Sequence, residues 1–562
     1  MSKRTLNIRL LRSTRTIAQA FSKSFAPDGE RAMEERDWVP AEGARLFVGQ
    51  IYSNPPPWRS FIETGAADIP EGMFSGGAGA VIFIPVGTRI LAVSFGHGHI
   101  ALDLDAFERQ FGLKVTLNAV PRGNLRSLDL ATPDAITFQK RVQASKDSDV
   151  QDFGVDMLRD LARVAGGTPK DSAFADFVAG KDSLSITCEV DTDSLEQKCT
   201  EILGVYAGSE YKTEYKWVDQ MRTVQEKDIV SELDGKLMDA IATLRTGGHS
   251  DLHLAPPEIV NYVEGCELHY NGFGSHGKTF SSLSISDYIA ELNRCQFADG
   301  IDDLKSKHKI SAKKADSDKF TEKWRLYDCF VFETSLTNNN QTTSYVMFAG
   351  DWYEIEKNFK KRIEAFYDEI DKVTIVGATT CRNEQILIDD LVATRPDLLK
   401  LDKEKINPEG VRYANLEPCD FFSINKEFIH LKDGHSSGSI SHLWNQGVVS
   451  AEAFISDKIF RKKLRSKVKT LAKNGTTRFE DFFPKASEIP KRQDYKIVYG
   501  IMRKPYADGS LGIPFFSKVS LQASIEKIRQ FGFPVALELI EKPKGDAQIQ
   551  PAAGVENLRE EE

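Results

Sequence analysis

A chain of 562 residues exceeds the roughly 250 to 300 residues at which a single hydrophobic core stops growing, so about two to four domains are expected. Its 41% hydrophobic and 10% aromatic content fills packed cores and excludes a largely disordered chain. Its net charge of −9 would repel a polyanion if evenly spread, so contact with nucleic acid requires a local basic surface.

The N-terminal part reads as strand-rich. Leu6 to Leu11 alternates, Arg45 to Tyr52 follows, and the apolar runs Val81 to Val86 and Ile90 to Phe95 flank Gly87-Thr88-Arg89 as a hairpin. Asp105 to Phe111 reads as a short helix and Lys114 to Asn118 as a strand. Between Asp147 and Val164 the spacing of Val150, Phe153, Met157, Leu158 and Leu161 predicts a helix that ends at Gly166-Gly167. A first domain is expected over 1–172.

A second, over 173–372, opens with the strand Ser183 to Val190. Helices follow at Ser194 to Tyr206, Asp228 to Leu244 and Asp287 to Cys295, then strands at Leu326 to Thr334 and Ser344 to Ala349, and a helix from Ile355 to Ile370. A third domain spans 373–545, and the polar residues 546–562 read as a disordered tail. The fold class is mixed α/β (α+β) and multidomain. No repeat of 20 to 50 residues is present, which argues against solenoids and propellers.

The seven cysteines form no CxxC pair and no zinc-finger spacing, so they read as reduced core thiols. No apolar run approaches about 18 residues and no secretory leader pattern opens the chain, which makes the cytoplasm the expected compartment and a membrane role unexpected.

Three motifs are set aside or given little weight. Gly272, Gly277, Lys278 and Thr279 satisfy the Walker A spacing, which makes a P-loop nucleotide-binding protein one alternative. A phosphate loop, however, needs a buried strand before it and a helix beginning at the lysine, and neither neighbour has that pattern. Gly76, Gly77 and Gly79 precede a strand where a dinucleotide fold needs them after one, and read as a flexible loop. His97 and His99 lack a third ligand nearby and read as part of a glycine-rich turn.

The C-terminal third carries the strongest chemical pattern. Leu387 and Leu391 share a helical face, so Glu384 falls in that helix's first turn. Val411 to Leu416 and Cys419 to Ser423 read as strands, the second turning at Ile424 to Lys426 into Phe428 to Lys432. A hairpin centred on Lys426 sets Asp420 opposite Lys432 and Phe422 opposite His430. Carboxylates that hold a hard cation beside a lysine that steadies charge are what phosphodiester hydrolysis needs. A plain cross-strand salt bridge is the alternative.

Downstream, Ser436-Ser437-Gly438-Ser439 leads into a helix from Ile440 to Ile455 on which His442 and Gln446 stand one turn apart, as auxiliary candidates. From Asp457 to Arg478 nine basic residues meet one acid. Lys458, Arg461, Lys462, Lys463, Arg465 and Lys467 are its core, suited to phosphate contacts or to a solvated helix face.

Glu384, Cys419-Asp420, Ile429-His430-Leu431-Lys432 and Ser441-His442-Leu443-Trp444-Asn445-Gln446-Gly447, together with Phe95-Gly96-His97-Gly98 and Gly350-Asp351-Trp352-Tyr353, give the chain two resemblances. Over nearly its whole length it resembles an uncharacterised, sporadically distributed bacterial family. The segment 373–545 is loosely similar to the PD-(D/E)xK nucleases, whose core runs from a helix with a glutamate through a strand with an aspartate and a strand with (D/E)xK to a second helix.

That second resemblance implies a restriction-endonuclease-like domain, a mixed sheet flanked by helices. It implies a metal-dependent nuclease acting on DNA or RNA, with Mg2+ or Mn2+ held by Glu384, Asp420 and His430 and with Lys432 as charge stabiliser. His430 departs from the pattern, because it stands where an acid belongs and suits softer ions than magnesium. Glu417 would replace it if a bulge at Pro418 turned it inward. A sporadic distribution suits a mobile-element or phage-defence setting. The rival from another class is a protein that binds nucleic acid or a partner through the basic helix without cutting.

Overall fold

The computed structural model describes residues 2–54, 59, 63, 74–133, 137–155, 160–260, 267–274, 278–295, 300–313, 320–409, 416–434, 437–485, 487–506 and 509–543. The chain folds as mixed α+β with several sheets. Among the described residues no helix is long and apolar enough to cross a membrane.

The first sheet has ten antiparallel strands, in the order Glu34–Asp37, Arg45–Asn54, Ser75–Val86, Arg89–Gly96, Ser2–Leu10, Leu184–Val190, Phe177–Gly180, Leu161–Gly167, Leu125–Thr132 and Phe138–Ser148. Val81 to Ile84 is apolar without a break because each face of the sheet is covered. Ile82 and Ile84 enter one core with Phe111 and Leu195, while Val81 and Phe83 enter another with Phe21 and Phe107. The hairpin at Gly87 forms with Val86 opposite Arg89, a two-residue connection one shorter than expected.

Several expectations for this region fail. Lys114 to Asn118 is not a strand but part of the helix Phe111–Ala119. Its apolar and β-branched content mimics a strand because the helix is buried nearly all round, and Gly112 packs so tightly that an added Cβ would lie 2.0 Å from Ser183 O. Of the helix expected over Asp105 to Phe111, only the end of a 3-10 turn, Leu104–Ala106, and Phe111, which opens the helix Phe111–Ala119, are helical. The helix expected over Asp147 to Val164 is instead a strand end, a 3-10 turn Val150–Phe153 fixed by an Asp149 capping box, and the strand Leu161–Gly167. Gly154, at φ +61, ends the turn, and Met157 and Leu158 lie outside the described residues. Gly76, Gly77 and Gly79 are not a loop. They lie in the strand Ser75–Val86, where a Cβ on Gly79 would stand 2.2 Å from Gly98 N. Leu184–Val190 pairs with Ser2–Leu10, and the same core extends to Val218, well past residue 172.

The middle region holds a five-stranded antiparallel sheet, a three-stranded sheet, and the helices Lys227–Arg245 and Ile285–Arg294, packed round Leu233, Leu237, Tyr288, Leu292 and Phe330. Leu326 to Cys329 forms a 3-10 turn, and the strand expected from Leu326 starts at Phe330.

The C-terminal region is labelled here in chain order: β1 (Asp371–Lys372), α1 (Glu384–Thr394), β2 (Leu398–Lys400), β3 (Phe421–Ser423), β4 (Glu427–Asp433), α2 (Ser437–Ser456), α3 (Lys458–Leu471), β5 (Lys496–Arg503), α4 (Phe515–Gln530) and β6 (Val535–Glu541). The sheet order is β1-β6-β5-β4-β3-β2, parallel from β1 to β4 and antiparallel across β3 and β2. Alternation along β5 sends Ile497, Tyr499 and Ile501 into the core beneath α2 and α4, and Val498 and Met502 into the core beneath α1. Gly447 lets α2 lie against Tyr499, whose hydroxyl donates to Trp444 O at 2.9 Å; a Cβ there would stand 2.2 Å from that hydroxyl. The strand expected over Val411 to Leu416 lies outside the described residues except for Leu416, as does the tail 546–562.

All six described cysteines are free thiols, five of them buried, and Cys266 lies outside the described residues.

Candidate active site at the end of the C-terminal sheet

Asn383 caps α1 by accepting from Ile386 N at 3.0 Å, which fixes Glu384 as the helix's first residue. Glu384 faces the end of β4, where Lys432 Nζ stands 3.1 Å from Oε2 and Asp433 N donates to Oε2 at 3.1 Å.

Asp420 sits just before β3. Its amide donates to Ile429 O at 3.0 Å, and its carbonyl accepts from Leu401 N at 2.7 Å and Asp402 N at 3.0 Å. The carboxylate takes one backbone donor, Leu431 N, at 2.6 Å. Burial pushes this carboxyl up to about 7; the Leu431 amide pulls the other way, Glu384 and Asp402 add to the rise, and Lys432 opposes it.

The hairpin is antiparallel as expected, but its register differs. Phe422 pairs with Phe428 and Phe421 with Ile429, so the centre is Asn425, not Lys426, with Lys426 in the turn at φ +62. Lys432 therefore forms its ion pair with Glu384, and no Asp420–Lys432 salt bridge is present. The shift is by two pairing positions, which leaves side-chain alternation unchanged.

His430 departs furthest from expectation. It is 2% exposed, its Nε2 lies 3.3 Å from Ser450 Oγ on α2, and burial lowers its pKa to about 3. Alternation turns it toward α2, while Leu431 enters the core with Leu387 and Leu391 of α1. It is a neutral core histidine and does not join Glu384 and Asp420. Among the described residues, no three His, Cys, Asp or Glu side chains group to hold a metal ion. Glu417 is half-buried and makes no hydrogen bond or ion pair with described residues. His442 is exposed and Gln446 half-buried, on the helix that covers the opposite face of the sheet from α1.

Sequence reasoning missed Asp402. It lies two residues beyond β2 with its side chain 8% exposed, and its buried Oδ2 has no hydrogen-bond partner among the described residues. Among the described residues Lys400 and Lys403 approach it, at 3.7 and 3.8 Å. Its sole sequence signal is an acid just after a short apolar strand, a pattern too common to single out.

The basic helix is α3, as expected, but much of its charge is engaged. Arg461 is 7% exposed and donates to Phe454 O and Ile455 O; Arg465 donates to Glu480 O, Lys463 to Asn407 O, and Lys467 pairs with Glu404. Lys458, Lys462 and Lys469 stand exposed. The Walker-like lysine, Lys278, lies 4.9 Å over the Phe280 ring, and the next helix begins only at Ile285. Gly277 is outside the described residues. His97 closes a glycine-rich turn and lies 3.4 Å from the Tyr52 hydroxyl.

Residues 6–541 match the family described as "Family of unknown function (DUF6119)". The chain belongs to that family. The match spans all three regions and ends at the last residue of β6, so the C-terminal sheet is part of what defines this family member. No curated protein and no solved structure matches the chain.

Proposed function

We propose that this DUF6119 member is a metal-dependent phosphodiesterase, a nuclease acting on DNA or RNA in the cytoplasm, within a mobile-element or phage-defence setting. The observation that carries the reading is the convergence of Glu384, Asp402, Asp420 and Lys432 at one end of a sheet, with Asp420 raised to about 7. The order of α1 with its glutamate, β3 preceded by an aspartate, β4 with its lysine, and then α2 also supports it, since that is the order of the PD-(D/E)xK core.

The ligands expected for the metal fit only in part, because His430 is turned away. Mg2+ or Mn2+ here would rest on Asp420 and Asp402, with water and phosphate oxygens completing the shell, as magnesium accepts. The under-bonded Oδ2 of Asp402 suits that place. The bound ion would supply Lewis acidity to a phosphoryl oxygen. Lys432 steadies charge that develops on the phosphodiester, and Glu384 holds the lysine in position until substrate competes for it. Exposed Lys458, Lys462 and Lys469 attract the backbone.

Incubation with single- and double-stranded DNA and RNA, with magnesium, manganese or chelator, tests this. Metal-dependent cleavage lost in Asp420→Asn supports it. Binding without cleavage under every metal leaves the non-catalytic nucleic-acid-binding protein, which the withdrawal of His430 favours.

A further inference from the structure

A second grouping of charged side chains surrounds a cavity of about 380 Å3 between the first sheet and the middle region. One wall is the hairpin turn Ala349-Gly350 with the two residues that follow. Both turn residues have positive φ, +50 and +82, as a two-residue hairpin connection requires. A Cβ on Gly350 would lie 2.3 Å from Asp328 Oδ1. Alanine in the left-handed region costs about 1 kcal/mol, and strain of this kind collects where backbone is held for a ligand. The turn delivers Asp351 and Trp352 to the cavity wall.

Six cations line the cavity, Arg12, Arg15, Arg109, Lys227, Lys305 and Arg325, against the four acids Asp105, Asp234, Asp302 and Asp351. In a chain of net charge −9 this is a local excess of positive charge. In the layer behind, Asp328 pairs with Arg325 and Asp182 with Arg109, but Arg9 and Lys181 beside Asp182 bring two more cations, so the local excess remains.

Three of the acids are already engaged. Asp234 accepts from Tyr327 Oη at 2.7 Å and Trp352 Nε1 at 3.0 Å and pairs with Lys305. Asp105 bridges Arg109 and Arg325 at 2.9 and 3.2 Å, and Asp351 stands 3.3 Å from Arg109 Nε. The Arg15 and Lys227 side chains, by contrast, have no hydrogen-bond or ion-pair partner among the described residues, and Arg12 commits only its Nε, to Phe107 O at 2.9 Å. The helix Lys227–Arg245 starts at this wall without a side-chain cap, and its N-terminal end adds positive potential.

We propose that this cavity binds a small oxyanion carrying two or more negative charges, of the phosphoryl or polycarboxylate class. Arg109 and Arg325 are held in place by their aspartates and give the floor its shape, while Arg12, Arg15 and Lys227 supply the open donors that close on the ligand. A cation is the poorer occupant, since among the described residues Asp105, Asp234 and Asp351 already have ion-pair partners and of the four lining acids Asp302 alone has none.

Titration calorimetry of the full chain with pyrophosphate, and separately with citrate, tests the assignment. The expected result is saturable binding of one molecule per chain that weakens at least about tenfold in Arg15→Glu/Lys227→Glu and is unchanged in Lys432→Ala. Neither the Arg15 nor the Lys227 side chain makes a hydrogen bond or ion pair among the described residues, so this variant is expected to keep the fold, and circular dichroism checks that. Tighter pyrophosphate binding assigns the phosphoryl class and tighter citrate binding the polycarboxylate class. Binding of neither probe, or binding that survives in the folded double variant, overturns the proposal. Because Lys432→Ala retains this binding, its outcome is independent of cleavage at the C-terminal sheet.

Discussion

Asp234 is buried and Asp420 half-buried, and their surroundings treat them in opposite ways. Asp234 is 2% exposed and is surrounded by three donors, from Tyr327, Trp352 and Lys305. Asp420 accepts a single backbone amide and has two further carboxylates, Glu384 and Asp402, close enough to raise its proton affinity. A buried carboxylate with a full set of donors is a fixed anion that joins elements together. One with too few donors and like-charged neighbours holds a proton near neutral pH and gains by meeting a cation. The proposed chemistry at the C-terminal sheet rests on this difference, whereas the Asp234 network frames the cavity beside it.

The largest expected effect breaks the comparison on the side of chemistry. Asp420→Asn and Lys432→Ala should each lower metal-dependent cleavage by about a hundredfold or more, read from initial rates on a labelled substrate. His430→Ala in protein that still folds should leave the rate within severalfold, because the imidazole is bonded to Ser450 and not to the acidic group. Rates reversed between these variants would move the site to the other face of β4.

Next in size is a stability effect at the other aspartate. Asp234→Ala strands Lys305, Tyr327 and Trp352 without their shared acceptor, and should cost about 3 to 5 kcal/mol in urea unfolding. Asp420→Asn, by contrast, should not destabilise the fold at neutral pH.

The pH dependence sharpens the point. Asp420 rises from 3.8 to about 7 on folding, so the folded state binds the proton that the unfolded state has already lost. Its contribution to stability therefore falls as pH rises from about 4 to about 7 and is constant above that. Asparagine does not titrate, so Asp420→Asn should gain on the parent across this window, by at most about 4 kcal/mol. Denaturation midpoints at pH 5 and pH 8 measure it; a difference that stays flat would show Asp420 to be an ordinary carboxylate.

The smallest effect concerns α3. Lys458, Lys462 and Lys469 replaced together by glutamate should weaken nucleic-acid binding and flatten its salt dependence by roughly three units of slope. Arg461→Glu should instead lower stability, since its guanidinium is buried against the carbonyls of Phe454 and Ile455.

The sequence by itself determined the mixed α+β class, most strands with a clean period of two, and the helices with strong amphipathic spacing, because alternation and 3.6-residue periodicity are local properties. It also placed Glu384 at the head of a helix, and Asp420 and Lys432 on an antiparallel hairpin. Tertiary structure alone decided the rest. The helix at Phe111 and the strand at Leu161 were misread because burial on several sides, or a chance spacing, erases the local signal. The register of β3 on β4 was set by a turn centred on Asn425, which no residue pattern announced. Asp402 became a member of the site only when β2 came to lie beside β3, and His430 left it because alternation and packing against α2 turned the ring into the core. Which charges meet depends on contacts between residues distant along the chain, and those are fixed by the packing of whole elements rather than by any local pattern.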